Sequence, residues 1–307
     1  MILVFGSVNL DLSFPLARLP QPGETVLGDD YVMAPGGKGA NQALAASRAG
    51  AADVRLVAAV GRDDFATAAL AGVRGAGVDL AAVVRTQSPT GCAAIAVAAS
   101  GENAIMVASG ANRDLRAGHV PAAWYSADAT LLLQMEITAG ESTAVARRIH
   151  DAGGRVILNL APAMPPPAGL LAASDVLLVN RIEAAMAMGV AENARPPADL
   201  ARDLAAAHGL EVIITLGGDG LVGVDGHGVF SMAALPVRPV DTTGAGDCFA
   251  GVLAAALDGG LDLREAARRA GVAGALACLG LGAQSAMPRA SEIERHMAAA
   301  PEVIAAG

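Results

Sequence analysis

The feature that most constrains this chain is an alternation. Short apolar runs rich in Val, Ile and Leu are separated by alanine-rich stretches with helical spacing. The runs are Ile2 to Phe5, Val54 to Val60, Thr130 to Gln134, Val156 to Leu160, Val176 to Val179 and Val212 to Leu216. Each is too short for a helix and too continuously apolar for a strand with one wet face, so they read as parallel strands covered on both sides. Between them lie helical stretches such as Gly39 to Ala49, Phe65 to Gly75, Ser142 to Ala152 and Leu200 to His208. Strand alternating with helix predicts a three-layer α/β/α sandwich around a mostly parallel sheet.

Two stretches break the rhythm: Leu12 to Pro35, with several prolines and glycines, and Thr90 to Val107, two alternating runs joined by Ser-Gly-Glu-Asn. Both read as strands of a small separate sheet. We expect a single domain over residues 1–307, with lid segments at about 12–35 and 90–107 covering the end of the main sheet where α/β folds bind ligands. With only five Phe, two Tyr and one Trp, the core must be packed by aliphatic side chains. The formal charge of -9, with no local Lys/Arg cluster, argues against nucleic acid as a partner. Cys92, Cys248 and Cys278 lie far apart without a C-x-x-C spacing, which predicts free thiols rather than a zinc site or disulfides. The N-terminus lacks a basic region followed by a long apolar stretch, and no apolar run reaches membrane-spanning length, so a soluble cytoplasmic protein is expected.

The strongest candidate for chemistry is Asp241-Thr-Thr-Gly-Ala-Gly-Asp-Cys-Phe-Ala-Gly251, a glycine-rich turn entering an apolar helix. Small residues let amides crowd at a helix N-terminus, so those of Gly244, Ala245 and Gly246 can face a transferring phosphoryl group. Asp247 sits beside that cradle. A carboxylate with a reference pKa of about 4 is too weak to deprotonate a sugar hydroxyl in advance. A loose phosphoryl-transfer transition state asks only for orientation and late proton acceptance. Taken alone, Asp247 reads equally well as an acid favoured at a helix start by capping and the helix dipole.

Gly36-Gly-Lys-Gly-Ala-Asn41 also opens a helix, but it is not a Walker A loop. That motif needs Gly where Val32 stands and Ser or Thr where Gly39 stands. The glycines would let a polyhydroxylated ligand approach the backbone, with Lys38 and Asn41 offering donors. A solvated surface turn is the competing reading. In Gly6-Ser-Val-Asn-Leu-Asp11, at the expected end of the first strand, Asn9 and Asp11 fall two apart on one face. A carboxylate there suits adjacent furanose hydroxyls, and an Asx turn is the alternative. Glu136 and Asn180-Arg-Ile-Glu183 follow strands, where carboxylates can hold magnesium through water or simply favour a helix start. Thr215-Leu-Gly-Gly-Asp-Gly220 ends a strand. Gly218, Gly220 and Gly223 satisfy G-x-G-x-x-G, but Leu221 to Val224 reads as a strand, so a turn against a nucleotide fits better than a dinucleotide fingerprint.

GSVNLD, PGETVLGDDY, GGKGANQALAA, LLLQMEI, LNLAPA, the N-x-x-E at Asn180, ITLGGDG, DTTGAGD and LGAQ together span nearly the whole chain. In this order and spacing the sequence resembles the ribokinase family, also called the phosphofructokinase-B family of carbohydrate kinases. The resemblance implies a ribokinase-like fold and an ATP-dependent kinase acting on the primary hydroxyl of a small sugar. Asn9, Asp11, Gly37, Lys38, Asn41 and Glu136 would contact the sugar, and Asp247 would be the base. Gly244, Ala245 and Gly246 would form the anion hole. Asn180, Thr215, Gly217, Gly218, Asp219 and Gly220 would hold ATP, and Glu183 would organise Mg2+ and its water.

The resemblance further implies a monovalent cation, usually K+, ringed by Asp241, Thr243, Ala277, Gly280 and Gly282, mostly through backbone carbonyls, and a homodimer formed through the lid. Two positions depart from the family pattern. Ala286 stands where a serine follows the G-A-Q, with Ser285 displaced by one residue, and Gly271 replaces a histidine near the adenine. Within the family, D-ribose to D-ribose 5-phosphate is the leading expectation. A nucleoside kinase, or a kinase of another furanose or sugar acid, is the alternative. Nucleoside pockets usually stack the base on aromatics, and this chain offers few before Trp124, among them Phe14, Tyr31 and Phe65. A non-catalytic sugar-responsive regulator on the same fold is the rival of another class, although its expected loss of the GAGD segment is not seen.

Overall fold

The computed structural model describes residues 1–305, so residues 306 and 307 of the expected domain lie outside it. A ten-stranded sheet runs through the molecule. From one edge its strands are Ile304–Ala305, Gly228–Met232, Leu221–Asp225, Glu211–Thr215, Val176–Asn180, Arg155–Asn159, Thr130–Leu133, Ile2–Phe5, Val54–Val60 and Val83–Arg85. From Glu211–Thr215 to Val83–Arg85 every neighbouring pair is parallel, and the other three strands add on antiparallel.

Side chains alternate across this sheet, and both faces are dry. Ile2 and Val4 enter a core with the helices Lys38–Arg48, Ala245–Asp258 and Leu263–Ala277. Leu3 and Phe5 enter a second core with Ala139–Asp151 and Pro197–His208. All four are fully buried, which explains why the strands read as unbroken apolar runs. A fully buried Leu or Ile contributes about 2 kcal/mol, so the sandwich is held mainly by these aliphatic layers. The expected helix from Phe65 to Gly75 is two shorter ones, Asp64–Ala69 and Ala71–Gly75. Among the described residues no helix is long and apolar enough to cross a membrane.

The four-stranded second sheet runs Val32–Gly36, Asn9–Leu16, Gly91–Ala98, Asn103–Ala108. Its central pair is parallel and the outer pairs are antiparallel. The first strand of the main sheet therefore turns at Gly6 to Val8 and continues into the small sheet. Asn9 and Asp11 lie on that second strand, not at the end of the first as the sequence suggested. Asp63 fastens the base of Gly91–Ala98. It caps the Asp64 helix through the Ala66 N–H and accepts both the N–H and the hydroxyl of Thr90, at 2.8 and 2.6 Å. Its two edge strands carry exposed Val32 and Met33 at one edge and exposed Ile105, Met106 and Val107 at the other, and Leu27 in the loop before Val32–Gly36 is also exposed.

Candidate active site

Asp247 lies in the first turn of Ala245–Asp258, whose N-cap Gly244 is left-handed at φ 77°. A Cβ at Gly244 would sit 2.8 Å from that of Ala283, so both conformation and space demand glycine. Asp247 is only 6 % exposed, and its carboxylate is engaged by another helix. Oδ2 accepts from Asn41 Nδ2 at 3.0 Å, Oδ1 accepts from Gln42 Nε2 at 3.1 Å, and Lys38 Nζ stands 3.9 Å from Oδ1. Helix capping therefore does not account for this carboxylate. Asp247 raises the Lys38 pKa above its ordinary value against the opposing effect of burial, and Glu136 and Glu183 add to the rise. Lys38 is thus a cation at any assay pH.

Close packing brings the two helices together. A Cβ on Gly251 would lie 2.3 Å from Gln42 O and 2.6 Å from the Ala45 Cβ. On the far side of Lys38, Glu136 accepts a hydrogen bond from the Ser7 hydroxyl and, at 3.1 Å, from the Lys38 N–H. Ser7 Oγ in turn accepts the Gly39 N–H at 3.2 Å. Asn9 Oδ1 accepts Asn112 Nδ2 at 2.8 Å, and Asn112 is itself fixed by the Val8 N–H at 2.9 Å. Gly37, at φ 86°, presses on Asn9, where an added Cβ would be 2.7 Å from its nitrogen. The six residues assigned to the sugar by resemblance thus adjoin one another where the two sheets meet.

Asp11 is the perturbed acid of this group. Burial first, then the negative charges of Glu136 and Asp247, push its carboxyl up to about 6. Because the folded value exceeds the unfolded one, its contribution to stability is full at low pH and is lost as pH rises through about 6. If Asp11 accepts from a sugar hydroxyl, the ionised carboxylate is the stronger acceptor, and binding would run the opposite way. We expect kcat/KM for the sugar to fall about tenfold per unit below pH 6, because kcat/KM reports the free enzyme. Asp11→Asn should lower kcat/KM and lose that inflection. A parental pH profile in the variant would refute the assignment.

A pocket of about 430 Å³ opens on the other side of Asp247. Thr215, Gly217, Gly218 and Gly220 from the strand-end turn line it together with Ala245 and Gly246, and Gly271 and Phe249 form part of its wall. A Cβ at Gly220, φ 96°, would fall 2.0 Å from Met232 O, so this turn position also requires glycine. Asn180 and Asp219 are not among the lining residues. Asn180 Oδ1 caps its helix at 2.8 Å from the Glu183 N–H, and Asp219 faces solvent beside Arg181 at 3.3 Å. At the helix start, the Ala245 N–H donates to Thr242 O at 3.2 Å, a long bond that an incoming phosphoryl oxygen would compete with.

Glu183 is buried, and one of its carboxylate oxygens accepts the Asn180 N–H at 2.8 Å. Burial raises its pKa, and Asp247 adds to the rise, while the Asn180 bond and Lys38 oppose it. The residues of the expected cation ring occupy two adjoining segments. Asp241 accepts the Thr243 and Gly282 N–H groups at 2.9 and 2.8 Å, and Cys278 O accepts the Val240 N–H at 2.8 Å. Ala277 ends the helix Leu263–Ala277, so the negative end of a helix dipole lies at this segment. A Cβ on Gly280 would be 3.0 Å from that of Ala286, so the Ala286 methyl faces this segment.

Residues 1–290 match the family described as pfkB family carbohydrate kinase. The chain belongs to the pfkB family of carbohydrate kinases. Within this family it is 36% identical over 298 residues to the ribokinase of Bacillus subtilis, covering 95% of this chain and 98% of that protein. The ribokinase structure from Thermotoga maritima superposes with a TM-score of 0.89 at 31% identity, over 97% of this chain and 99% of that one. The Arabidopsis thaliana ribokinase structure, complexed with ribose and ATP, gives 0.86 at 29% identity over 96% and 98%. The fold is thus the ribokinase-like sandwich with its small second sheet. Membership makes the protein an ATP-dependent carbohydrate kinase.

Sequence reasoning passed over Gln42, Gln284, Ser7 and Asn112, all buried polar residues that fix members of this pfkB site. Gln42 and Gln284 stand inside the quoted segments GGKGANQALAA and LGAQ. A glutamine within an otherwise apolar, small-residue run was the available signal, because burying an amide is costly unless it is bonded.

Proposed function

We propose that this protein transfers the γ-phosphoryl group of ATP to the primary hydroxyl of a small furanose, D-ribose giving D-ribose 5-phosphate. The observation that carries this reading is the buried Asp247 carboxylate, bracketed by Asn41, Gln42 and Lys38. On one side lie Asn9, Asp11, Gly37 and Glu136 for the sugar, and on the other the glycine-lined pocket for the nucleotide. The ribokinase relatives support ribose as the sugar.

Asp247 orients the hydroxyl and takes its proton late, as the new P–O bond forms and the bond to the β-phosphate oxygen breaks. The amides of Gly244, Ala245 and Gly246 hold the transferring group at the helix N-terminus. Lys38 offsets the negative charge shared by Asp247 and the phosphoryl oxygens. Asn180, through its free amide end, and the turn Thr215, Gly217, Gly218, Asp219 and Gly220 hold the nucleotide.

Glu183 fits a magnesium ion through water, and that ion neutralises phosphate charge when bound. Asp241, Thr243, Ala277, Gly280 and Gly282 fit a monovalent cation such as K+. The small sheet acts as a lid over the sugar, and its exposed apolar side pairs with a second copy in a homodimer. The protein works in the cytoplasm.

An ADP-release assay across ribose, fructose, 2-deoxyribose and nucleosides, with Mg2+ and K+ varied, tests this reading. Highest kcat/KM on ribose is expected, and turnover highest on a nucleoside would sink the ribose assignment. A K+-independent rate would remove the monovalent cation, and sedimentation of a fully active monomer would remove the dimer.

A further inference from the structure

Asn41 is tied at both ends of its amide. Its Nδ2 donates to Asp247 Oδ2 at 3.0 Å, and its Oδ1 accepts Gln284 Nε2 at 3.0 Å. Asn41 and Gln284 are each 5 % exposed, so bulk water does not compete for these bonds. An ionised carboxylate only accepts, which obliges Asn41 to turn its NH2 group toward Asp247. The Asn41 oxygen then faces Gln284, which must present its own NH2 group. The polarity of the whole chain is set from Asp247 outward.

Gln284 is held for this purpose at a cost. Its Oε1 is buried without a hydrogen-bond partner and lies where a Cβ on Gly72 would be 2.0 Å away. A buried unpaired acceptor destabilises a fold, so space-filling alone does not explain an amide here. Its backbone is anchored separately, because Arg48 Nη1 donates to Gln284 O at 2.6 Å and to Met287 O at 2.9 Å.

We propose that Gln284 is a positioning residue for phosphoryl transfer, holding the Asn41 amide in the one orientation that gives Asp247 Oδ2 a donor. The proposal rests on the reading of Asp247 as the base. Without the Gln284 donor, the buried Asn41 oxygen is left unpaired and the side chain keeps one anchor instead of two. Asn41 then drifts toward another donor, its NH2 group no longer meets Oδ2 squarely, and Asp247 loses its fixed aim at the sugar hydroxyl.

Steady-state kinetics of Gln284→Met and Gln284→Glu test this, with Asp247→Ala in the same series. Gln284→Met keeps the size and loses the donor. Its kcat should drop about ten- to a hundredfold, the range expected for a misplaced catalytic group. Its sugar KM should stay within about threefold, because Asn9, Asp11 and Glu136 still serve the sugar and the defect falls on the aim of Asp247. Gln284→Glu should be worse than Gln284→Met at pH 8 and should recover relative to the parent as pH falls, because the protonated carboxyl regains an O–H donor.

A parental kcat in Gln284→Met, or a loss confined to KM, overturns the proposal. So does a Gln284→Glu rate that keeps a constant ratio to the parent across pH, as a merely structural role requires. If Gln284→Met fails to fold, the pH ratio of Gln284→Glu decides. An active Asp247→Ala would overturn the base assignment as well, whereas an inactive Asp247→Ala beside a parental Gln284→Met overturns this inference alone.

Discussion

Asp247→Ala should lower kcat by about 10³-fold or more, within the range that a positioned proton acceptor supplies, while sugar binding stays measurable by calorimetry. The truncation removes the carboxylate that accepts from Asn41 and Gln42 and faces the Lys38 ammonium group. The two amides and the ammonium group would then face a void. The sugar contacts proposed for Asn9, Asp11 and Glu136 lie on other elements and should survive, so the loss belongs in kcat and not in KM. A variant that keeps near-parental turnover would mean that the proton leaves the sugar by another route.

Gly251→Val should be the second large effect, and it should show in both stability and rate. The new Cβ would stand 2.3 Å from Gln42 O, 2.6 Å from the Ala45 Cβ and 2.9 Å from Ala46 N. Two of those atoms are backbone and the third is a Cβ fixed to it, so no side chain can rotate aside. Overpacking of this kind costs about 3 kcal/mol, which lowers Tm by about 5 °C or more in a domain of this size. The helix that must retreat carries Lys38, Asn41 and Gln42, and moving them about 1 Å from Asp247 should cost about a hundredfold in kcat. Gly251→Ala should show the same pattern more weakly. Thermal melting and steady-state kinetics check both variants, and parental values for Gly251→Val would contradict the packing described.

Much of the architecture was legible because its cause is local and periodic. A strand buried on both faces must be apolar at successive positions, so the parallel strands announced themselves within about a residue of their true ends. The small sheet was legible only as a break in that rhythm. Its central parallel pairing of Asn9–Leu16 with Gly91–Ala98 joins strands remote in sequence, and nothing local encodes such a partner. Asn9 and Asp11 were placed at the end of the first strand for the same reason. The bend at Gly6 to Val8 that moves them to the second sheet depends on Gly6 and Gly39 touching, where a Cβ on Gly6 would lie 2.7 Å from the Gly39 Cα.

Asp247 shows the division most clearly. By itself the sequence determined a glycine turn entering a helix, an acid in its first turn, and small residues at Gly244, Gly246 and Gly251, because turn conformation and helix entry are decided by neighbours in the chain. It could not decide between a helix-favouring acid and a reacting group, since both call for the same residue at the same place. The tertiary structure decided that this acid is buried and engaged, by packing Lys38–Arg48 across Gly251 so that Asn41, Gln42 and Lys38 converge on one carboxylate. Hydrogen bonds between residues some two hundred positions apart follow from how helices pack, and packing is a property of the whole fold.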